Sequence, residues 1–139
     1  MAGGAILRGN SSFRVGLFCW SALVAVGSLK SWPGGIALAH GSDKIFHILF
    51  YVPFAPLGLY HPRPGIKVAL LLSLFAANYS FLMELLQRGV PGRSFEWADF
   101  GAGLAGAALG FLLFGIWLQM QRRGECREQK LSENAPAKF

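Results

Sequence analysis

Four long runs with almost no interior charge constrain this chain more than any other feature. They cover residues 13–29, 44–60, 66–88 and 99–120. Each is close to the roughly 20 residues that a helix rising 1.5 Å per residue needs to cross about 30 Å of hydrocarbon. Inside lipid no water is present to satisfy backbone N–H and C=O groups, so such runs must close their hydrogen bonds internally as helices. Composition agrees: only 14% of residues are charged, against about 25% in an ordinary soluble domain. The expected fold class is therefore an all-α membrane protein, a bundle of four transmembrane helices. The second run carries Pro53 and Pro56, each lacking a backbone donor, which predicts a kink there. The third is the least interrupted, and the fourth opens at Asp99 with Gly101, Gly103, Gly106 and Gly110 in its first half.

The net charge of +6 would point to nucleic acid in a soluble protein, but here the basic residues gather at the ends of the apolar runs, with no basic groove interleaved with aromatics. No nucleic-acid partner is expected; membrane lipids are. Taking alternate ends together, one side holds Arg8, Arg14, Arg63, Lys67, Arg122, Arg123, Arg127, Lys130 and Lys138, and the other holds Lys30, Lys44, Arg88 and Arg93. The excess of positive charge on the inside predicts both termini in the cytoplasm. Residues 1–120 form the transmembrane domain on this reading, and the polar residues 121–139 form a cytoplasmic tail expected to need no fold. Arg8 and Arg14, followed by an apolar run and Ala37-Leu38-Ala39, also have the outline of a cleavable signal peptide. The length of the run and its distance from Ala39 favour an uncleaved helix. Cys19 lies in an apolar run and Cys126 in the tail, at different depths, so no disulfide is expected. Trp20, Trp32, Trp97 and Trp117 fall mostly near run ends and read as interface anchors.

The polar residues within the runs converge on one end. Asp43 is expected to cap the second helix, with Lys44 beside it and His47 four residues on, about 40° away on the same face. Glu84, Gln87 and Arg88 are neighbours at spacings of three and four on the third helix, and the following loop adds Arg93 and Glu96 before Asp99. The order D-K-x-x-H at 43–47, E-x-x-Q-R at 84–88, P-G-R at 91–93 and Asp99 opening a glycine-rich helix resembles the VanZ-like membrane family, named for the teicoplanin-resistance protein. The resemblance covers about residues 13–120. It places the family's polar pattern on Asp43, Lys44, His47, Glu84, Gln87, Arg93, Asp99 and Gly106. Members usually carry Asn four residues after the Asp of the last helix; this chain has Gly103. The resemblance implies a multi-pass protein of the bacterial cytoplasmic membrane and cell envelope, linked in some members to lowered glycopeptide susceptibility, with no settled biochemical activity.

The residues admit several readings of this cluster. As a structural clasp, Arg88 or Arg93 neutralises Glu84 and Asp99 caps the last helix. As a ligand site, Lys44, His47, Arg88 and Arg93 hold an anionic lipid or lipid-linked cell-wall precursor, oriented by Asp43, Glu84, Gln87 and Asp99. As an enzyme, a hydrolase or transferase on a lipid-linked substrate, His47, Glu84 and Asp99 are the catalytic candidates. No cofactor is expected and no metal, because the chain has neither H-E-x-x-H nor paired cysteines. His40 and His61 are expected to lie away from the cluster. Asn78, midway along the third run, is expected to hydrogen-bond a neighbouring helix. Ala102, Gly106 and Gly110 form a small-residue stripe that can pair two chains or seat the fourth helix in its own bundle; the second role is the one expected.

Overall fold

A computed structural model describes residues 3–29, 42–61, 63–91 and 94–133, with side chains over 11–29, 44–61, 63–91 and 94–129. Lys30, Trp32, Ala37, Ala39, His40, Arg93 and Lys138 therefore lie outside the described residues. The elements run α1 (Gly3–Leu29), α2 (Ser42–Tyr51), two short 3-10 turns (Val52–Phe54 and Pro56–Tyr60), α3 (Ile66–Gln87) and α4 (Trp97–Glu133). No strand occurs among the described residues. Three helices are long and apolar enough to cross a membrane, within Ser11–Leu29, Ile66–Gln87 and Trp97–Gln129, and Lys44–Tyr60 is a shorter apolar segment.

The ends differ from expectation in three places. Helix α1 begins at Gly3 rather than residue 13, since residues 3–12 contain no proline to stop it. The expected kink in the second segment is instead a change of helix type. In α-helical register the carbonyls of Leu49 and Val52 would need the N–H groups of Pro53 and Pro56, which do not exist. The chain tightens to pairing three residues apart, as in Gly58 N–H to the Ala55 carbonyl at 2.9 Å. A 3-10 turn rises about 2.0 Å per residue against 1.5 Å for an α-helix, so the change also lengthens the segment. Helix α4 starts two residues before Asp99 and runs to Glu133, through most of the tail that was expected to carry no fold. Residues 121–133 are rich in Gln, Arg, Glu and Lys, all good helix formers, with no proline before Pro136.

The core is built where α4 packs against α2 with its 3-10 turns on one side and against α3 on the other. Val24, Tyr51, Phe54, Ala76 and Ala107 form one buried cluster, and Ala55, Ala69 and Phe114 a second. Phe54 anchors the first, touching the rings of Tyr51, Phe75 and Tyr79. Outward-facing side chains are also apolar: Val15, Phe18, Leu49, Leu71, Leu74, Leu112 and Ile116 are all exposed, a surface suited to lipid rather than water. Asn78 is exposed as well, and its amide bonds the Leu74 carbonyl of its own helix at 2.8 Å. Among the described residues the interhelical bond expected of it does not form, because its position faces away from the bundle.

Helix α1 is tied to the rest by three side chains that donate to backbone carbonyls. Trp20 Nε1 reaches the Phe50 carbonyl at 2.9 Å, Tyr79 the Ser21 carbonyl at 2.7 Å and Gln87 the Ser28 carbonyl at 3.1 Å. Trp20 is thus an interhelical tie rather than an interface anchor, whereas Trp97 is largely exposed. Glycine sets the approach of α4 to α2. A Cβ at Gly106 would collide with the Ile48 carbonyl, and one at Gly110 with the Val52 carbonyl. The Ala102, Gly106 and Gly110 stripe is accordingly buried within the chain. By contrast, a Cβ at Gly101 meets open space. Gly106→Ala is expected to destabilise by about 1–3 kcal/mol through enforced separation of the two backbones, while Gly101→Ala gains about 0.5–1 kcal/mol from helix propensity. Thermal unfolding of the purified variants in one detergent checks the opposite signs.

Candidate functional site

The convergence expected from the sequence forms from three helices. His47 lies in α2, Glu84 one turn before the end of α3 and Asp99 in the first turn of α4. All three are buried, and one ligand-type atom from each lies within 4.8 Å of the others. His47 Nε2 stands 3.3 Å from Glu84 Oε1. The second Glu84 oxygen accepts the Glu96 backbone N–H at 3.3 Å. The Glu96 carbonyl in turn accepts the N–H groups of Asp99 and Phe100, so Glu96 is the residue from which α4 springs. A side chain of α3 therefore fixes where α4 begins. Asp99 is not the cap expected for it; it sits within the first turn, where the positive end of the helix dipole favours a carboxylate.

Burying two carboxylates costs free energy unless cations and donors match them. Lys44, one turn before His47, supplies a cation: its ammonium lies 3.4 Å from Asp99 Oδ1 and 3.9 Å from Glu96 Oε2. Lys44 is half-buried, and Glu96 is exposed, so these two form the outer rim over the three buried groups.

One turn deeper on each helix lies a second polar layer that the sequence reading missed. Tyr51 follows His47 by four residues, Ser80 precedes Glu84 by four and Gly103 follows Asp99 by four. Tyr51 and Ser80 are almost wholly buried, and neither hydroxyl closes a hydrogen bond of good geometry with a protein group. A side chain at position 103 would run into the Ser80 hydroxyl and the Tyr51 ring. This accounts for glycine where the family pattern has Asn: here the space is filled from α2 and α3. The four-residue spacing from each predicted residue was the available signal.

Other predicted residues have different surroundings. Gln87 is buried, but its amide donates to α1 at Ser28. Arg88 is exposed, with its guanidinium 4.9 Å from the centre of the Phe95 ring. The expected pairing of Glu84 with Arg88 is replaced among the described residues by His47 and the Glu96 N–H, because Glu84 faces the bundle interior while the longer Arg88 turns out from the helix end. Phe95 belongs to an edge-to-face chain of rings with Phe81, Trp97 and Phe100, which holds the loop before α4 against α3. Asp43 is in the first turn of α2, which starts at Ser42 rather than being capped by Asp43; its side chain, and all of Arg93, lie outside the described residues. His61 packs edge-on against Phe13 at the far end of the second segment.

A helical bundle whose outward side chains are apolar and whose polar groups meet at the ends of three helices is a membrane protein. Comparison with protein families then places it: the VanZ/LLP1 family matches residues 10–118, and the chain belongs to that family. No curated protein and no solved structure matches it.

The geometry predicts strong coupling between His47 and Glu84. In a double-mutant cycle with His47→Ala and Glu84→Ala, the interaction energy is expected to be about 0.5–3 kcal/mol, read from denaturant unfolding in mild detergent. Arg88→Ala combined with Glu84→Ala is expected to be additive.

Proposed function

We propose that this protein spans the bacterial cytoplasmic membrane four times, with both termini inside, and recognises an anionic lipid headgroup or lipid-linked cell-wall precursor at its outer face. The observation that carries this reading is the half-buried Lys44 ammonium, held at the rim by Asp99 and Glu96 with its side chain 41% exposed. An ammonium has three donors, and with two fifths of this side chain open to the surface a phosphate arriving from the headgroup region can approach it alongside the carboxylates. Arg88 adds a second cation near the same end. The length of the second segment supports a fourth span: eight α-helical residues (44–51), then eight in 3-10 turns with Ala55 between them, laid end to end, reach about 30 Å. A role in glycopeptide susceptibility would act through the same outer surface.

The His47–Glu84 pair favours a second reading, a hydrolase or transferase on such a lipid. An imidazole beside a buried carboxylate is a common general acid–base arrangement. The readings separate on mutation: in a binder, Glu84→Gln weakens ligand retention, whereas in an enzyme it stops turnover while ligand stays bound.

Native mass spectrometry of protein extracted in mild detergent, then exposed to a polyprenyl phosphate or phosphatidylglycerol, tests the binding reading. Lys44→Ala is expected to lower retained lipid about tenfold, the loss of one charge-assisted hydrogen bond of roughly 1.5 kcal/mol. Equal retention by the folded variant and wild type rejects the site. Topology is tested in intact cells with single cysteines at positions 94 and 132 in a background without Cys19 and Cys126. Ser94→Cys is expected to react with an impermeant reagent from outside, and Ser132→Cys only after the membrane is opened.

A further inference from the structure

We infer that His47, Glu84 and Asp99 bind a divalent first-row transition cation of the Zn2+ or Mn2+ kind. The sequence shows no metal motif, because the three residues come from three helices and are separated by 37 and 15 positions. The fold supplies what spacing does not. One imidazole and two carboxylates make a donor set suited to borderline and harder divalent ions. Ligand atoms about 2.0–2.2 Å from such an ion lie roughly 3–4.4 Å from one another, and the present groups lie within 4.8 Å, so side-chain adjustment alone closes the site.

Charge and burial point the same way. Two carboxylates with a neutral imidazole carry two negative charges, which a divalent ion matches. Asp99 is 7% exposed, and its Oδ1 is buried without a hydrogen-bond donor; the Lys44 ammonium stands off at 3.4 Å. Lys44 has an alternative partner in Glu96 at 3.9 Å, so Asp99 can exchange the ammonium for a metal without leaving Lys44 unpaired. The second polar layer lies directly beneath: the Tyr51 hydroxyl is beside Ser80 and near the Glu84 carboxylate, and both side chains are 1% exposed, so the floor under the three ligands is polar, as the outer shell of a metal site requires. This inference concerns the three ligands and stands apart from the lipid reading.

The test uses full-length, tag-free protein in detergent, stripped with EDTA, dialysed against Zn2+ or Mn2+ alone, and measured by elemental mass spectrometry and calorimetry. Wild type is expected to take up one ion per chain. His47→Ala and Asp99→Asn are expected to weaken binding by tenfold or more, as loss of a ligand or its support commonly does. Lys44→Gln, which removes the cation competing for Asp99, is expected to bind on the order of tenfold tighter. Failure of folded wild type to bind either ion at micromolar concentration overturns the proposal, as does equal uptake by all folded variants, which marks adventitious binding at His61 or Cys126. If the ligand variants do not fold, wild-type stoichiometry and Lys44→Gln decide: tighter binding supports the site, and unchanged or weaker binding overturns it.

Discussion

The close approach of α2 to α4 is the constraint on which the rest of the structure depends. Without a hydrophobic difference between lipid tails and apolar side chains, helices in a membrane associate through tight packing and hydrogen bonds. Here Gly106 and Gly110 remove the side chains that would keep the backbones apart, and the carbonyls of Ile48 and Val52 press against them. Val52 is also a carbonyl whose α-helical partner is missing, because Pro56 has no N–H. Glycine on one helix and proline on the other are therefore two halves of one contact.

The polar cluster follows from that contact. Once α2 and α4 are locked in register, His47 and Asp99 come to the same level, and α3 brings Glu84 to it. The Glu84 bond to the Glu96 N–H then determines the starting point of α4, which positions Asp99. Each polar residue is thus held by an element other than its own. The three side chains that reach carbonyls from α1 and α3 complete the bundle with directional bonds rather than area alone.

The helical class and the level of the site were legible because lipid imposes a strict period and length on the chain, and because charges within such runs stand out. Asp99, Glu84 and His47 were visible for that reason. The partners of these residues were not. Glu84 and Arg88 are neighbours by helix spacing, yet one turns inward and the other out, a difference set by bundle packing and not by local sequence. Tyr51 and Ser80 were passed over because a hydroxyl in an apolar run is ordinary; only the alignment of three helices makes them a layer. The continuation of α4 to Glu133 had a local signal in its helix formers, which low hydrophobicity outweighed in the reading. Helix propensity does not require burial, so polarity alone was a poor guide to the end of the helix.

That continuation gives the site a mechanical reach. Asp99 and Glu133 belong to one unbroken helix, and 34 intervening steps at 1.5 Å make a rod of about 50 Å. Gly106 and Gly110 lie toward the Asp99 end, so the part of the rod beyond its close contact with α2 is the longer one. Arg122, Arg123 and Arg127, all exposed, ride on the same helix as the buried Asp99, joined to it by continuous backbone hydrogen bonding rather than by a loop.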